Sequence, residues 1–161
     1  MDASRNHCAE IETLYTKYAD MLYRLAVMQM RSCHDAEDAV ADVFMKYMTY
    51  LPSFKDPSHE KAWFIRVLLN KCNDLHRRNS VRAYTPLEDV VNISAEFKET
   101  DVLEQVSLLP EKHRSMILLH YFEGFSIEEI AVILKTTPAA AKMRLMRARN
   151  ALKPLLKGEQ A

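Results

Sequence analysis

The chain has 161 residues, 48% of them hydrophobic, which is enough for one domain of ordinary size or two small ones. Its two glycines, Gly124 and Gly158, exclude the phosphate loops of kinases, P-loop NTPases and dinucleotide-binding enzymes, because those loops need several glycines close together. The net charge is zero, and Leu, Ala, Met, Glu and Lys dominate over Val and Thr, so we predict an all-α protein.

Charge is distributed unevenly along the chain. Residues 59–82 contain six basic and two acidic side chains, and residues 135–157 contain seven basic side chains and no acidic one. Between these two blocks, residues 83–108 contain one basic and six acidic side chains. Two basic blocks separated by an acidic segment indicate two separate contacts with a polyanion.

The three cysteines, Cys8, Cys33 and Cys72, are far apart and form no CxxC pair. Neither a disulfide framework nor a four-ligand zinc site is therefore expected. The polar N-terminus does not resemble a signal peptide, and no apolar run approaches the roughly 18 to 20 residues of a membrane span. We expect a cytoplasmic protein in a reducing compartment.

Hydrophobic periodicity predicts three helices in the first half of the chain, at about residues 9–31, 35–51 and 59–78. They are expected to pack as one small domain over residues 1–82. The second helix has apolar side chains at helical spacing: Val40, Val43, Phe44, Tyr47 and Leu51. Its opposite face carries four charged side chains: Asp35, Asp38, Asp42 and Lys46.

The third helix is predicted to bury Ile65, Leu68, Leu69, Cys72 and Leu75. A different face carries polar and aromatic side chains at successive spacings of three or four residues: Trp63, Arg66, Asn70, Asp74 and Arg77, with Arg78 beside them. An aromatic plane next to an amide and guanidinium groups suits unstacked bases and a phosphate backbone. The alternative, with Trp63 in the core and the arginines solvated, is equally open at this point.

The second half of the chain follows an acidic linker, predicted at residues 83–100. A domain over residues 101–161 is expected to contain a short helix before Pro110, a helix at about 110–121 and two further helices at 126–134 and 138–153. Ser126 and Glu129 form the sequence pattern of a capping box, and Thr137 with Pro138 opens the last helix. Residues 125–152 therefore predict a helix-turn-helix.

The last helix divides into two faces. Its inward residues are predicted to be Ala141, Leu145, Ala148 and Leu152. Its outward residues are predicted to be Lys142, Met143, Met146, Arg147 and Arg149. Such a helix fits the major groove of DNA, and the absence of any acidic residue over 135–157 disfavours an ordinary solvated surface.

Three stretches resemble the sigma factors of bacterial RNA polymerase, in the small two-domain extracytoplasmic-function (ECF) group. DAEDAVADVFMKYM at 35–48 is similar to the helix that docks on the polymerase clamp. KAWFIRVLLNKCNDLHRR at 61–78 is similar to the helix of promoter melting. Residues 109–149 are similar to the DNA-binding domain, and the most specific part is K-x-R-L-x-R-A at 142–148 after an EEIA helix.

The resemblance implies a division of labour between the two domains. The first would bind core RNA polymerase through Asp35, Asp38, Asp42 and Lys46. It would also open the minus-ten element with Arg66, Asn70, Asp74, Arg77 and Arg78, while the loop at 54–58 pockets a flipped base. The second would bind the minus-thirty-five element as duplex through Glu128, Lys142, Met143, Met146, Arg147 and Arg149.

The resemblance also implies which partner regulates the protein and which ligands and activities it lacks. It predicts an anti-sigma factor, often membrane-anchored, and it predicts no cofactor, no metal, no small-molecule substrate and no enzymatic reaction. Lys135 stands where the family often has glycine, so a turn of different shape is expected. Asp74 replaces a frequent neutral amide, and its carboxylate suits a cytosine amino group.

Two other functions stay open from the residues alone. One is a free-standing regulator that uses only the helix-turn-helix. The other is a small helical metalloenzyme with ligands among Asp35, Glu37, Asp38, Asp42 and His34. The helix dipole gives a simpler reason for acidic residues in the first turn of a helix.

Overall fold

A computed structural model of the protein describes the backbone of residues 2–78 and 100–160 and the side chains of residues 7–78 and 102–156. Nearly all of the predicted linker lies outside these ranges, so the domain limits stay predictions. Within the described ranges every regular element is a helix, which confirms the all-α prediction. No helix in these ranges combines the length and the apolar character needed to cross a membrane.

The first half of the chain forms three long helices. They are α1 (Asp2–Met30), α2 (Cys33–Tyr50) and α3 (Pro57–Arg78). Ser32 caps α2, because its hydroxyl accepts the Asp35 N–H at 3.2 Å. Leu51 ends α2 in the left-handed conformation, with φ 44°. This residue is exposed, so its predicted place in the apolar stripe is wrong: the chain has already left the helix there.

The core of α1, α2 and α3 is rich in aromatic rings. Phe64 is fully buried, and its ring centroid lies 4.9 Å from that of Tyr18 and 5.5 Å from that of Phe44. The predicted stripe on α3 is confirmed, except that Leu75 is only partly buried. Burial raises the pKa of the Cys72 thiol to about 12, so this cysteine stays protonated within the core.

The second half begins with α4 (Thr100–Ser107) and α5 (Glu111–Ile117). The helix predicted at 110–121 changes geometry after α5, because Leu118–Phe122 forms a π-helical turn in which the Glu123 N–H donates to the Leu118 carbonyl at 2.9 Å. Gly124 follows with φ 77°, as expected of a glycine that terminates a helix.

The helix-turn-helix consists of α6 (Ile127–Ile133) and α7 (Pro138–Gln160). Ser126 Oγ accepts the Glu129 N–H at 3.1 Å, and Thr137 Oγ1 accepts the Ala140 N–H at 3.1 Å, so both predicted N-caps are confirmed. The inward stripe of α7 is buried as predicted. Lys135 adopts φ 53°, so the turn does contain a left-handed residue and lysine bears the strain that glycine would avoid.

The two halves pack against each other in this structure. The principal contact joins α3 to α6, and α1 also touches α5. Buried apolar side chains from both halves form one continuous cluster. The faces of α3 and α7 that the sequence assigns to DNA are thereby placed beside one another.

Candidate nucleic-acid interface

The outward face of α7 is open to solvent. All of its predicted contact residues are exposed: Lys142, Met143, Met146, Arg147 and Arg149. Arg144, which the sequence interpretation did not assign, is exposed as well. Glu128 is exposed in the first turn of α6. Because Thr137 caps α7 at its first turn, the helix presents a well-ordered N-terminal half, the part of a recognition helix that meets base edges.

The corresponding face of α3 is divided among several roles. Trp63 is half-buried, and its ring centroid lies 5.1 Å from that of Phe64 and 6.2 Å from that of Tyr47. This residue therefore lies at the edge of the aromatic core with part of its ring accessible, and its contact with unstacked bases stays a prediction. Asn70 is exposed. Farther along, Asp74 pairs with Arg77 at 3.9 Å, and Arg77 and Arg78 are exposed.

Arg66 is directed at the helix-turn-helix. Its Nε donates to the Ile133 carbonyl at 2.9 Å, and its Nη2 donates to the Val132 carbonyl at 3.3 Å. These carbonyls lie at the end of α6, where backbone acceptors lack partners within the helix and the dipole favours a cation. Burial lowers the pKa of the Arg66 guanidinium. In this arrangement the side chain predicted to contact melted DNA contacts the other half of the protein.

The loop at 54–58 is held by contacts with the start of α3. The Asp56 carboxylate accepts the His59 N–H at 2.8 Å. Phe54 is half-buried, and its ring centroid lies 5.9 Å from that of Trp63 in an edge-on arrangement. Neighbouring aromatic rings at a fixed loop provide surfaces on which an unstacked base can lie.

A cleft of about 580 Å³ separates α3 from α7. Arg66 and Asn70 line one side, and Arg144 and Arg147 line the other. Lys112 and Lys135 also line it, whereas none of the described acidic side chains does. The sequence does not assign these two lysines to a DNA contact, because only the fold brings α5 and the turn between α6 and α7 to the same cleft.

Several polar contacts join the two halves behind this cleft. Arg24 Nε donates to Glu123 Oε1 at 2.8 Å, and Arg24 Nη2 donates to Glu123 Oε2 at 3.0 Å. Gln29 is 1% exposed, and its Nε2 donates to Ser115 Oγ at 2.8 Å. His76 Nε2 lies 3.9 Å from Glu111 Oε1. No local sequence pattern marks these residues, because each contact joins positions far apart in the chain.

The charged face of α2 is only partly available for a partner. Asp35 is 3% exposed, so the prediction that its carboxylate lies on an outer docking face is wrong: the first turn of α2 is turned into the fold. Asp42 lies 3.5 Å from Lys46 and 3.9 Å from Lys71. Asp38 is exposed and lies 3.4 Å from His34. Among the described side chains, no three of His, Cys, Asp or Glu gather into a group able to hold a metal.

Two family profiles match the chain. The one described as Sigma-70 region 2 matches residues 14–82, and the one described as Sigma-70, region 4 matches residues 100–152. The first match contains α2, α3 and the loop at 54–58. The second contains α6 and α7 as far as residue 152. The two basic helices described above therefore fall in different sigma regions.

Curated relatives and solved structures agree with these matches. ECF RNA polymerase sigma factor SigM of Mycobacterium tuberculosis is 30% identical over 149 residues, covering 90% of this chain and 76% of that protein. RNA polymerase sigma factor SigV of Bacillus subtilis is 28% identical over 144 residues, covering 87% of each chain.

Two solved complexes contain similar folds. The sigma factor RpoE of Bartonella quintana, in complex with the anti-sigma factor NepR, aligns with a TM-score of 0.69 at 25% identity, covering 92% of this chain and 97% of that one. CnrH in complex with the cytosolic domain of CnrY aligns with a TM-score of 0.70 at 26% identity, covering 92% and 88%. The chain belongs to the ECF sigma factors of RNA polymerase.

Proposed function

We propose that this protein binds core RNA polymerase in the cytoplasm and directs it to specific promoters, as an initiation factor with no reaction of its own. One observation carries the proposal: two basic helix faces, exposed on α7 and partly exposed on α3, lie in two different sigma regions, and each suits a different form of DNA. The α7 face fits a duplex groove. The α3 face and the loop at 54–58 combine aromatic rings with Asn70 and cations, which suits a separated strand.

The exposure of each side chain decides which of the predicted residues we assign to core polymerase and which to the minus-ten element. Asp38, Asp42 and Lys46 remain candidates for core polymerase, and Met45 and Met48 are exposed on the same helix. Exposed methionines are adaptable partners in protein interfaces. The minus-ten contacts fall to Asn70, Asp74, Arg77 and Arg78. Arg66 joins them only when its bonds to α6 are broken.

The closed arrangement of the two halves cannot serve both promoter elements at once. The elements are named for positions 25 base pairs apart, which is roughly 85 Å of duplex at about 3.4 Å per base pair. Here Asn70 and Arg147 line a single cleft of about 580 Å³. We therefore propose that α3 and the helix-turn-helix separate when the protein enters the polymerase.

An anti-sigma factor is the proposed regulator. RpoE and CnrH, the similar sigma factors above, were solved in complex with NepR and with the cytosolic domain of CnrY. By analogy, a partner of this kind would hold the present chain away from core polymerase. Co-purification of the tagged chain from its native cells, followed by identification of the bound proteins, tests this part of the proposal.

Transcription with core polymerase tests the central function. The full chain is mixed with core polymerase and a supercoiled genomic library, and the transcript start sites are sequenced. We expect start sites that share two upstream sequence elements. Transcripts identical with and without the chain would contradict the proposal. Tight binding of duplex by the protein alone, with log affinity falling about 0.9 per log salt for each phosphate contact, would favour a free-standing regulator.

Energy transfer between two dyes tests the separation of the halves. Cysteines replace Thr49 on α2 and Glu104 on α4, which are both exposed, while Cys8 and Cys33 are changed to serine. We expect transfer to fall when core polymerase and promoter are added. Unchanged transfer in a complex that initiates transcription would show that the closed arrangement is the active one.

A further inference from the structure

The exposed face of α7 has an apolar row along its centre. At about 100° per residue, Met143 and Met146 lie about 170° and 130° from the middle of the buried stripe. Their side chains are 44% and 42% exposed. Ala139 precedes them and Asn150 follows them on the same row, and both are exposed.

Cations flank this row on both sides. Lys142, Arg149 and Lys153 lie on one flank, and Arg144 and Arg147 lie on the other; all five are exposed. No acidic residue occurs between 135 and 157. A helix lying in the major groove has a phosphate backbone on each side and the base edges beneath it. The flanking cations therefore match the two backbones, and the methionines meet the floor of the groove.

The groove floor offers one apolar group, the C5-methyl of thymine. Met143 and Met146 are about 4.5 Å apart along the helix axis, which is close to the roughly 3.4 Å step between base pairs. Two flexible thioether side chains can thus reach methyl groups on neighbouring base pairs. Thioethers form no strong hydrogen bond with the polar base edges, so an apolar contact is the interaction available to them.

We infer that Met143 and Met146 determine part of the upstream promoter specificity by packing on the C5-methyl groups of two neighbouring thymines. This inference rests on the proposed promoter-binding function and adds the chemical feature that α7 recognises. It predicts thymines, on either strand, within the minus-thirty-five element. It also predicts that removing only the methyl group weakens recognition while every Watson–Crick pair is kept.

Replacement of thymine by uracil tests the inference without altering the protein. A promoter is first selected from a random library by the holoenzyme, and each upstream thymine is then replaced by deoxyuridine. Run-off transcription is measured at limiting holoenzyme. We expect a loss of about three- to fivefold at each of two adjacent positions, as burial of one methyl group implies. Equal transcription from thymine and uracil templates would overturn the inference.

Protein variants then identify the residues responsible. Each methionine variant should abolish the effect of uracil at one of the two positions. Met143→Gln should make transcription from thymine and uracil templates equal at one position, and Met146→Gln should do so at the other. Arg149→Gln is the matched control on the cationic flank, and it should lower transcription from both templates by the same factor. A uracil effect of undiminished size in both methionine variants would also overturn the inference. Absence of any promoter-specific transcript, even on thymine templates, would instead refute the proposed function and the inference with it.

Discussion

The basic faces of α3 and α7 look alike in sequence but differ in the folded protein. On α7, every predicted outward residue is exposed, and the row opposite the buried stripe is continuous. On α3, Trp63 joins the aromatic core, Arg66 binds the end of α6 and Asp74 pairs with Arg77. Asn70 and Arg78 are the remaining residues of that face, and both are exposed.

A basic block in a sequence therefore locates a nucleic-acid surface. It does not show which of its cations bind other parts of the same protein instead of DNA. The α7 helix packs through its buried stripe and leaves its outward side chains exposed, with Arg144 and Arg147 facing α3 across the cleft. The α3 helix lies between the core of α1 and α2 and the helix-turn-helix. Its cations therefore divide between DNA binding and contact with the other half.

Substitution of Glu123 should give the largest effect, because it removes a partly buried ion pair that joins the two halves. The substitution tests whether the closed arrangement depends on the contact with Arg24. Glu123→Ala removes the partly buried carboxylate that accepts two hydrogen bonds from Arg24, and we expect a loss of about 3 kcal/mol in unfolding free energy. Urea unfolding of the full chain measures it. The paired change Arg24→Met with Glu123→Leu should recover most of the loss. A loss below about 0.5 kcal/mol would show that the closed arrangement does not depend on the contact between Arg24 and Glu123.

Arg147 tests the α7 side of the comparison. Among the flanking cations it lies close to the central row, so its guanidinium can reach a guanine edge. Arg147→Ala should weaken binding of the minus-thirty-five element by about 1–3 kcal/mol. Holoenzyme binding to the selected promoter and to scrambled upstream sequences measures the effect. An equal loss on all sequences would show that Arg147 contacts phosphate only.

Arg66 and Arg77 test the α3 side, since both are arginines on one helix with different surroundings. Arg66→Ala removes two charge-assisted hydrogen bonds to α6, so we expect unfolding free energy to fall by about 1–2 kcal/mol. Arg77 is highly exposed, so Arg77→Ala is the control and should change stability by less than about 0.5 kcal/mol. Equal effects of the two substitutions would mean that the Arg66 contact contributes little in solution.

Lys135 should give the smallest effect. Its φ of 53° is strained for a residue with a Cβ, so Lys135→Gly should raise unfolding free energy by about 0.5–1 kcal/mol once the larger chain entropy of glycine is subtracted. Thermal unfolding measures the change. Lys135→Ala removes the same charge but keeps the Cβ, and it should not stabilise. Stabilisation by both substitutions would point to charge repulsion in the cleft instead.

Local sequence determined most of the secondary structure and the α7 surface. The N-caps at Ser126 and Thr137 depend on residues three positions apart, and the inward stripe of α7 repeats every three or four residues. Such features need only short-range geometry, so a single sequence is enough to predict them. The π-helical turn at Leu118–Phe122 was missed, because the same apolar residues also fit a regular α-helix.

Tertiary structure alone decided which polar groups join the two halves. Gln29 meets Ser115, Arg24 meets Glu123 and Arg66 meets Ile133, and each partner is more than sixty positions away. The burial of Asp35 has the same origin, because the packing around the first turn of α2 turns it inward. Helical periodicity indicates which face of a helix is polar. Only the packing of distant segments determines whether that face meets water, DNA or the rest of the protein.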